Sequence, residues 1–470
     1  MQFRDADVAI IGTGTAGLAA YRTVKAAGRR ALLIEGGPYG TTCARVGCMP
    51  SKLLIAAAEA AHAWSRLPAF GILPAGPITI DGKAVMDRIK AERDRFAGFV
   101  VDDVEAFPAA DKVRGHARFI DDHSLQIGDA LTIRAPRIVI ATGSSPSHPP
   151  AWDALGDKLI VNDDVFEWSE LAGSVAVFGP GVIGLEIGQA LHRLGVRVKI
   201  FGRGGGVGPL SDPALVDSAH RIFGAEFYLD TNAHAEVARH GDLVVVKYRA
   251  LDGSTATENF DYLLAATGRR PNLAGLALDR TSLVLDAQGV PLFDRLTLQC
   301  GRSSIFIAGD VNNDLALLHE AADEGRIAGD NAARYPDVRP GLRRAGIAVV
   351  FSDPQIAIVG GGWRDAQPTP HVVGEVSFHN QGRSRVMLRN KGLLHVYAAI
   401  DDGAFLGAEM IGPDAEHIGH LLAWALQMKL TVQQMLDMPF YHPVIEEGVR
   451  TALRNARAKL TAAQAQRRAA

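Results

Sequence analysis

The strongest constraint on this chain is a pattern that occurs twice, the two copies lying 167 positions apart (Gly12 to Gly179). In the first copy the apolar run Asp7-Val8-Ala9-Ile10-Ile11 leads into Gly12-Thr13-Gly14-Thr15-Ala16-Gly17. A helical stretch then runs to about Gly28, and a second strand, Ala31 to Ile34, closes on Glu35. In the second copy Ser174-Val175-Ala176-Val177-Phe178 leads into Gly179-Pro180-Gly181-Val182-Ile183-Gly184. Ile183, Ile187, Ala190, Leu191 and Leu194 then recur at helical spacing up to Gly195, and a strand follows from Val196 to Phe201. Each copy is a strand–turn–helix–strand unit with the dinucleotide fingerprint at its turn. The first glycine permits the tight turn, the second lets a pyrophosphate approach the backbone, and the third lets helix pack on strand. The pyrophosphate then lies at the positive end of the helix. One such turn is weak evidence, whereas two in full context predict two bound dinucleotides. Glu35, 18 residues after Gly17, is placed to accept from a ribose hydroxyl.

At 470 residues the chain exceeds what one core supports, so two to four domains are expected. Hydrophobic residues make up 47% and charged residues 21%, an ordinary globular composition. The 50 glycines imply many close backbone approaches rather than a disordered tract. A net charge of −3 gives no footprint for nucleic acid or an anionic membrane. The polar N-terminus and the lack of a run of about 18 apolar residues lead to the expectation of a cytoplasmic protein with no signal peptide and no span.

Three cysteines cannot build a disulfide framework. Cys43 and Cys48, five apart and flanked by glycine, read as a catalytic pair, since no further Cys or His lies at zinc-site spacing and no metal is expected. Cys300 reads as a small buried hydrophobe. Short repeated signals mark further strand ends: Ala141-Thr142-Gly143 after Ile138 to Ile140, and Ala266-Thr267-Gly268 after Leu263-Leu264. Gly115 to Phe119 and Leu125 to Ile133 read as an antiparallel ribbon. A helix is expected from about Leu315, after Ala308-Gly309-Asp310. From about Gly346, strands (Ala348 to Phe351, Ile356 to Val359, Leu393 to Ala398) and helices form a separate α+β region.

Thr42-Cys43-Ala44-Arg45-Val46-Gly47-Cys48-Met49-Pro50-Ser51-Lys52 follows directly on the first unit. Together with Ala266 to Asn272, Ala308-Gly309-Asp310 and Tyr441-His442-Pro443-Val444-Ile445-Glu446-Glu447, it resembles the dihydrolipoamide dehydrogenase/glutathione reductase family over essentially the whole chain. Val182 to Glu186 makes the dihydrolipoamide dehydrogenase branch the most similar. The resemblance implies an α/β fold with two Rossmann-like domains, for FAD and NAD(P), and a C-terminal α+β interface (dimerisation) domain. The implied segments are 1–150 (FAD domain with the redox pair), 151–270 (nicotinamide domain), 271–345 (return to the FAD domain) and 346–470 (interface).

It implies roles as well. Cys43 would be the interchange thiol that meets substrate, and Cys48 the thiol facing the flavin. Lys52 and Glu186 would form an ion pair beside the flavin, and His442, oriented by Glu447, would be the general acid–base supplied by the partner of a homodimer. Gly12, Gly14, Gly17, Glu35, Thr42, Lys52, Gly115, Ala117, Thr142, Gly143 and Asp310 would contact FAD; Gly179, Gly181, Gly184, Arg203 and Gly268 are further cofactor candidates, the first four in the nicotinamide unit. Asp310 could also cap the next helix. Arg45 stands where a small polar residue is usual. Either its guanidinium favours thiolate or it is a solvated cover for the helix. Val444 replaces a frequent Thr.

The nicotinamide is NADPH or NADH. The strand ends Ile200-Phe201-Gly202-Arg203: Gly202 occupies the place of the acid that binds the NADH ribose, and Arg203 that of an arginine for the NADPH 2′-phosphate. Pro209 stands where a second arginine is frequent, and Gly204 to Gly206 could offer backbone donors instead. Residues 461–470 have no Cys, unlike mercuric and large thioredoxin reductases. On the resemblance of its motifs, a lipoyl-type dithiol or disulfide is the favoured substrate. The alternatives are an NADPH-dependent reductase of another low-molecular-weight disulfide, and a docking subunit of a multienzyme complex.

Overall fold

The protein is described here by a computed structural model covering residues 2–469. These divide into two compact units. One comprises the segment ending at Pro50 with Asp87–Ser147 and Gly268–Arg343; the other comprises Ser51–Met86, His148–Thr267 and the chain from Arg344 onward.

The first unit is organised by a parallel sheet in the order Ile305–Ile307, Ile138–Ile140, Val8–Ile11, Ala31–Glu35, Lys112–Arg114. Val8–Ile11 is buried at every position, as a central strand covered on both faces must be. One cover is the helix Thr15–Ala26, which packs on Leu318–Arg334 almost backbone to backbone. A Cβ placed on Gly325 would come within 2.2 Å of the Ala16 carbonyl oxygen. A four-stranded ribbon sheet, Gln2–Asp5, Leu131–Arg134, Ser124–Ile127 and Ala117–Asp121, completes this unit.

The antiparallel ribbon expected over Gly115 to Phe119 and Leu125 to Ile133 is present, and it folds back once more at a turn where Gly128 has φ +55°. The helix expected from Leu315 begins at Leu318. A short 3₁₀ turn, Asp310–Asn312, precedes it, and Asn313 at φ +58° interrupts any helical continuation.

The second unit repeats the first architecture. Its parallel sheet runs Leu159–Ile160, Tyr262–Ala265, Ser174–Phe178, Arg197–Phe201, Tyr228–Asp230, with Val182–Arg193 as the helix after the glycine turn. A three-stranded antiparallel sheet, Ala235–His240, Leu243–Arg249, Thr255–Phe260, is inserted before the last parallel strand. The same unit contains the antiparallel sheet Ile347–Val350, Gln355–Val359, Phe405–Gly412, Leu393–Ala399, His371–Ser377. Helices Ala415–Gln427 and Glu447–Ala469 bury Ile418, Leu422, Val449 and Leu453 in its core. The result is the α/β fold expected, with two dinucleotide-binding sheets and a C-terminal α+β region.

Gly325→Ala tests the closeness of the two helices in the first unit. Alanine improves helix propensity by about 1 kcal/mol, yet the carbonyl contact should make the variant less stable by about 1–3 kcal/mol. Denaturant unfolding measures this, and a variant as stable as the parent would show that the helices separate freely.

Candidate active site

The two glycine turns share one geometry. Gly12 has φ +110°, and a Cβ there would lie 2.3 Å from the Ala141 carbonyl oxygen; Gly179 has φ +112° and would meet the Ala266 oxygen at 2.2 Å. The third glycines sit over the first: Cβ atoms on Gly17 and Gly184 would come 2.0 and 1.9 Å from the carbonyl oxygens of Gly12 and Gly179. The middle glycines, Gly14 and Gly181, have open space around the missing Cβ and are the N-caps of their helices, without side-chain caps. Each turn therefore presents uncapped helix N–H groups to open space, a cradle that fits a dinucleotide pyrophosphate.

Glu35 lies beside the first turn. One carboxylate oxygen accepts from the Thr13 N–H (2.9 Å) and hydroxyl (2.7 Å), and the other from the Gly37 N–H (2.7 Å). The carboxylate is held in place while keeping acceptor capacity for a ribose. Gly115 donates its N–H to the Glu35 carbonyl oxygen (2.9 Å). Ala117 instead points its methyl into the core, so only its backbone is available to a ligand.

At the other strand ends of this unit, two loops are laced together. Thr142 donates its hydroxyl to the Asn272 carbonyl (2.7 Å), and the Asn272 amide donates to the Thr142 carbonyl (3.0 Å). Gly143, at φ +69°, accepts from the Asn272 N–H (2.9 Å), and Gly268, at φ +110°, opens the partner loop. Asp310 accepts from the Ser144 hydroxyl (2.8 Å), which accepts in turn from Arg269 (2.8 Å). Asp310 does not cap the next helix, whose N-cap is Leu317 with no side-chain bond. The turn carrying Asp310 is instead braced by Glu324, fully buried, which accepts from the Gly309 N–H, the Asn312 amide (both 2.7 Å) and Arg343 (2.8 Å). Burial pushes the Glu324 carboxyl above the usual carboxylate range, against the pull of the Gly309 N–H and Arg343.

Cys43 lies in a short helix, Thr42–Val46, and is half-buried; Cys48 is the first residue of the helix Cys48–Arg66 and is exposed. Thr41, not Thr42, caps the first of these, accepting from the Ala44 N–H (3.2 Å), and this role escaped the sequence reading. The Arg45 stem covers Gly40, where a Cβ would meet its Cδ at 2.8 Å.

Lys52 and Glu186 form a close ion pair, with the ammonium donating to both carboxylate oxygens at 2.9 and 2.7 Å. Glu186 is 4% exposed, and its cost of burial is offset further by the Phe351 N–H at 2.9 Å. The Phe351 ring lies 4.4 Å from the ammonium as a cation–π contact. Phe351 is a second residue that no sequence signal marked.

His442 is largely exposed, and its Nδ1 bonds Glu447 at 2.9 Å; Arg450 donates to the other oxygen at 3.0 Å. With Nδ1–H donating to the carboxylate, Nε2 is left as the basic atom. Burial raises the Glu447 pKa, but the bonds from His442 and the Val444 N–H, with the Arg450 charge, together outweigh it, and the carboxylate stays ionised to lower pH than usual.

At the end of the strand Arg197–Phe201, a Cβ on Gly202 would meet the Pro180 ring at 2.6 Å, so no side chain fits where the ribose-binding acid would stand. Arg203 beside it is exposed.

A paired-cysteine segment and two dinucleotide cradles define the class: a flavoprotein that exchanges electrons between a nicotinamide and a disulfide. Residues 6–325 match the model of the pyridine nucleotide-disulphide oxidoreductases, and residues 347–453 that of the family's dimerisation domain. The chain belongs to the pyridine nucleotide-disulphide oxidoreductase family, whose members use FAD and NAD(P)H, and its dimerisation domain fits a homodimer. It is 30% identical to a dihydrolipoyl dehydrogenase of Geobacillus stearothermophilus over 94% of each chain. It is also 30% identical to a mercuric reductase of Shigella flexneri, over 95% of this chain and 80% of that one. Among solved structures, the HOCl-induced flavoprotein disulfide reductase RclA of Escherichia coli, as its Cu(II) complex, superposes with a TM-score of 0.80 at 24% identity, covering 96% of this chain and 99% of that one. Among the described residues no helix is long and apolar enough to cross a membrane.

The third cysteine has a different environment. Cys300 is buried, and burial pushes its thiol up to about 12. At pH 8 only about one Cys300 in ten thousand would be thiolate, the reactive form. Iodoacetamide on the reduced native enzyme should therefore modify the 43–48 pair and spare Cys300, as read by peptide mass mapping. Early labelling of Cys300 would contradict its burial.

Proposed function

We propose that Cys43 and Cys48 form the redox pair of an NADPH-linked flavoprotein disulfide oxidoreductase acting on a small dithiol/disulfide of the lipoyl type. The observation that carries the reading is the position of Cys48 at the first turn of a 19-residue helix, five residues from Cys43, in a chain with two dinucleotide cradles. The positive end of that helix favours thiolate over thiol.

In the reductive direction, the Cys43 thiolate attacks one sulfur of the substrate disulfide, forming a mixed disulfide and releasing a thiolate. His442 of the partner subunit protonates that leaving sulfur from Nε2, with Nδ1 held by Glu447. The Cys48 thiolate then attacks the Cys43 sulfur, which frees the second substrate sulfur as a thiolate, protonated by solvent, and closes the 43–48 disulfide. Bound FAD supplies the two-electron path by which NADPH restores the pair. Lys52, locked by Glu186, would present a fixed positive charge to that group, and Glu35, Asp310 and the first glycine turn would hold its adenosine and ribityl portions. The domain division that goes with this reading is 1–150, 151–270, 271–345 and 346–470.

Anaerobic reduction by dihydrolipoamide tests it. Wild type should show the long-wavelength band of a thiolate against flavin. Cys43→Ser should lose reaction with dihydrolipoamide, and Cys48→Ser should lose lipoamide turnover by at least about a thousandfold. His442→Ala should cost about a hundredfold or more in kcat. Full NADPH oxidation by Cys48→Ser would overturn the relay. Inert lipoamide with rapid turnover of Hg(II) or another disulfide would keep the relay and change the substrate class. Co-purification with an acyltransferase core, with negligible turnover, would favour a docking subunit.

A further inference from the structure

The nicotinamide unit contains a cavity of about 670 Å³ beside Arg203 that the glycine turn does not use. Its walls are the Asn232–Glu236 segment and the end of the strand Leu243–Arg249, from Lys247 to Arg249. Along that strand Val244, Val246 and Tyr248 are buried, so alternation turns Lys247 and Arg249 outward, both into the cavity lining. The strand is tied to the opposite wall by the Arg249 N–H donating to the His234 carbonyl (3.2 Å). Three cations, Arg203, Lys247 and Arg249, therefore border one space, and none of them is ion-paired among the described residues. Glu236, opposite Lys247 in the strand register, is the one carboxylate in the lining. A solvated strand face commonly carries cations, but such a face normally mixes both signs and does not converge on a cavity at the end of a nucleotide-binding strand.

We propose that Lys247 and Arg249 complete the site for the adenosine 2′-phosphate that Arg203 begins, standing in for the second arginine that Pro209 replaces. The proposal rests on the NADPH reading. A phosphate dianion is the ligand such a set of donors suits, with Arg203 and Arg249 able to bind two oxygens each and Lys247 acting as a point charge. Neither a carboxylate nor any other side chain can compete from position 202, because the Pro180 ring occupies that space.

The probes are 2′,5′-ADP and 5′-AMP, which differ only in the 2′-phosphate, titrated calorimetrically into the full-length FAD-loaded enzyme. Wild type should prefer 2′,5′-ADP. Lys247→Gln/Arg249→Gln should weaken 2′,5′-ADP by about tenfold or more while leaving 5′-AMP within about twofold. The charge-preserving Lys247→Arg/Arg249→Lys should keep most of the preference. If Arg203→Ala loses the preference and the double Gln variant keeps it, the hairpin cations are not part of the site and the NADPH reading stands. Equal weakening of both ligands in the double variant would mean distortion rather than phosphate recognition, and also overturns the proposal. A wild type with no preference between the two probes would overturn the NADPH reading itself.

Discussion

Two backbone carbonyl oxygens, those of Gly12 and Gly179, determine how each nucleotide-binding sheet can be built. Each is approached by the third glycine of its own turn at a separation that excludes a Cβ. Each first glycine is pressed in turn against the carbonyl that ends a neighbouring strand, Ala141 or Ala266. Helix, turn and two strands are thereby locked at backbone distance. The open middle glycine and the uncapped N–H groups of the first turn are left facing out. A larger side chain at either packed position would move the helix off the sheet and turn those donors away from their target. The favourable interaction of an anion with a helix N-terminus, on the order of 0.3–2 kcal/mol, depends on that aim.

A second regularity is that the candidate site groups are each held by a neighbouring carboxylate. Glu186 fixes Lys52 and also satisfies the Phe351 N–H. Glu324 fixes the turn that carries Asp310, and Glu447 fixes the His442 ring. Each accepts from more than one donor, so its orientation is over-determined, and the charge that Glu186 and Glu324 bury is compensated on the spot. Glu324 shows the balance most clearly: burial favours its neutral form, and a guanidinium and a backbone N–H oppose it. In such clusters, removing one member leaves another buried charge unmatched, so their substitutions are not independent.

What was legible in the sequence follows from the range of the interactions. The glycine turns, Glu35 and the cysteine pair are local patterns, readable within some 25 residues. His442 and Glu447, five apart, are local too. The Glu186–Phe351 and Ser144–Asp310 contacts join positions 165 and 166 residues apart, and nothing in either local segment marks its partner. Thr41 carried no signal of its own: a five-residue helix is too short for periodicity to mark its cap. The antiparallel ribbon was legible from its alternation, and the fold-back at Gly128 lies within it. The helix starts only at Leu318 because Leu317, its N-cap, is in extended backbone, a conformation that composition does not reveal.

The end of the strand Arg197–Phe201 joins the cofactor preference to the turn itself. The proline of the second glycine turn, Pro180, fills the space above Gly202, so the turn and the strand end form one steric unit. Introducing an acid at 202 alone would push against a rigid ring whose backbone also accepts the Gly208 N–H (2.7 Å). A carboxylate there would need a smaller residue at 180 as well, together with some relaxation of the segment after Gly202. The site is therefore biased against a carboxylate by packing rather than by charge alone. The cations that remain near this strand end, Arg203, Lys247 and Arg249, border the cavity beside it.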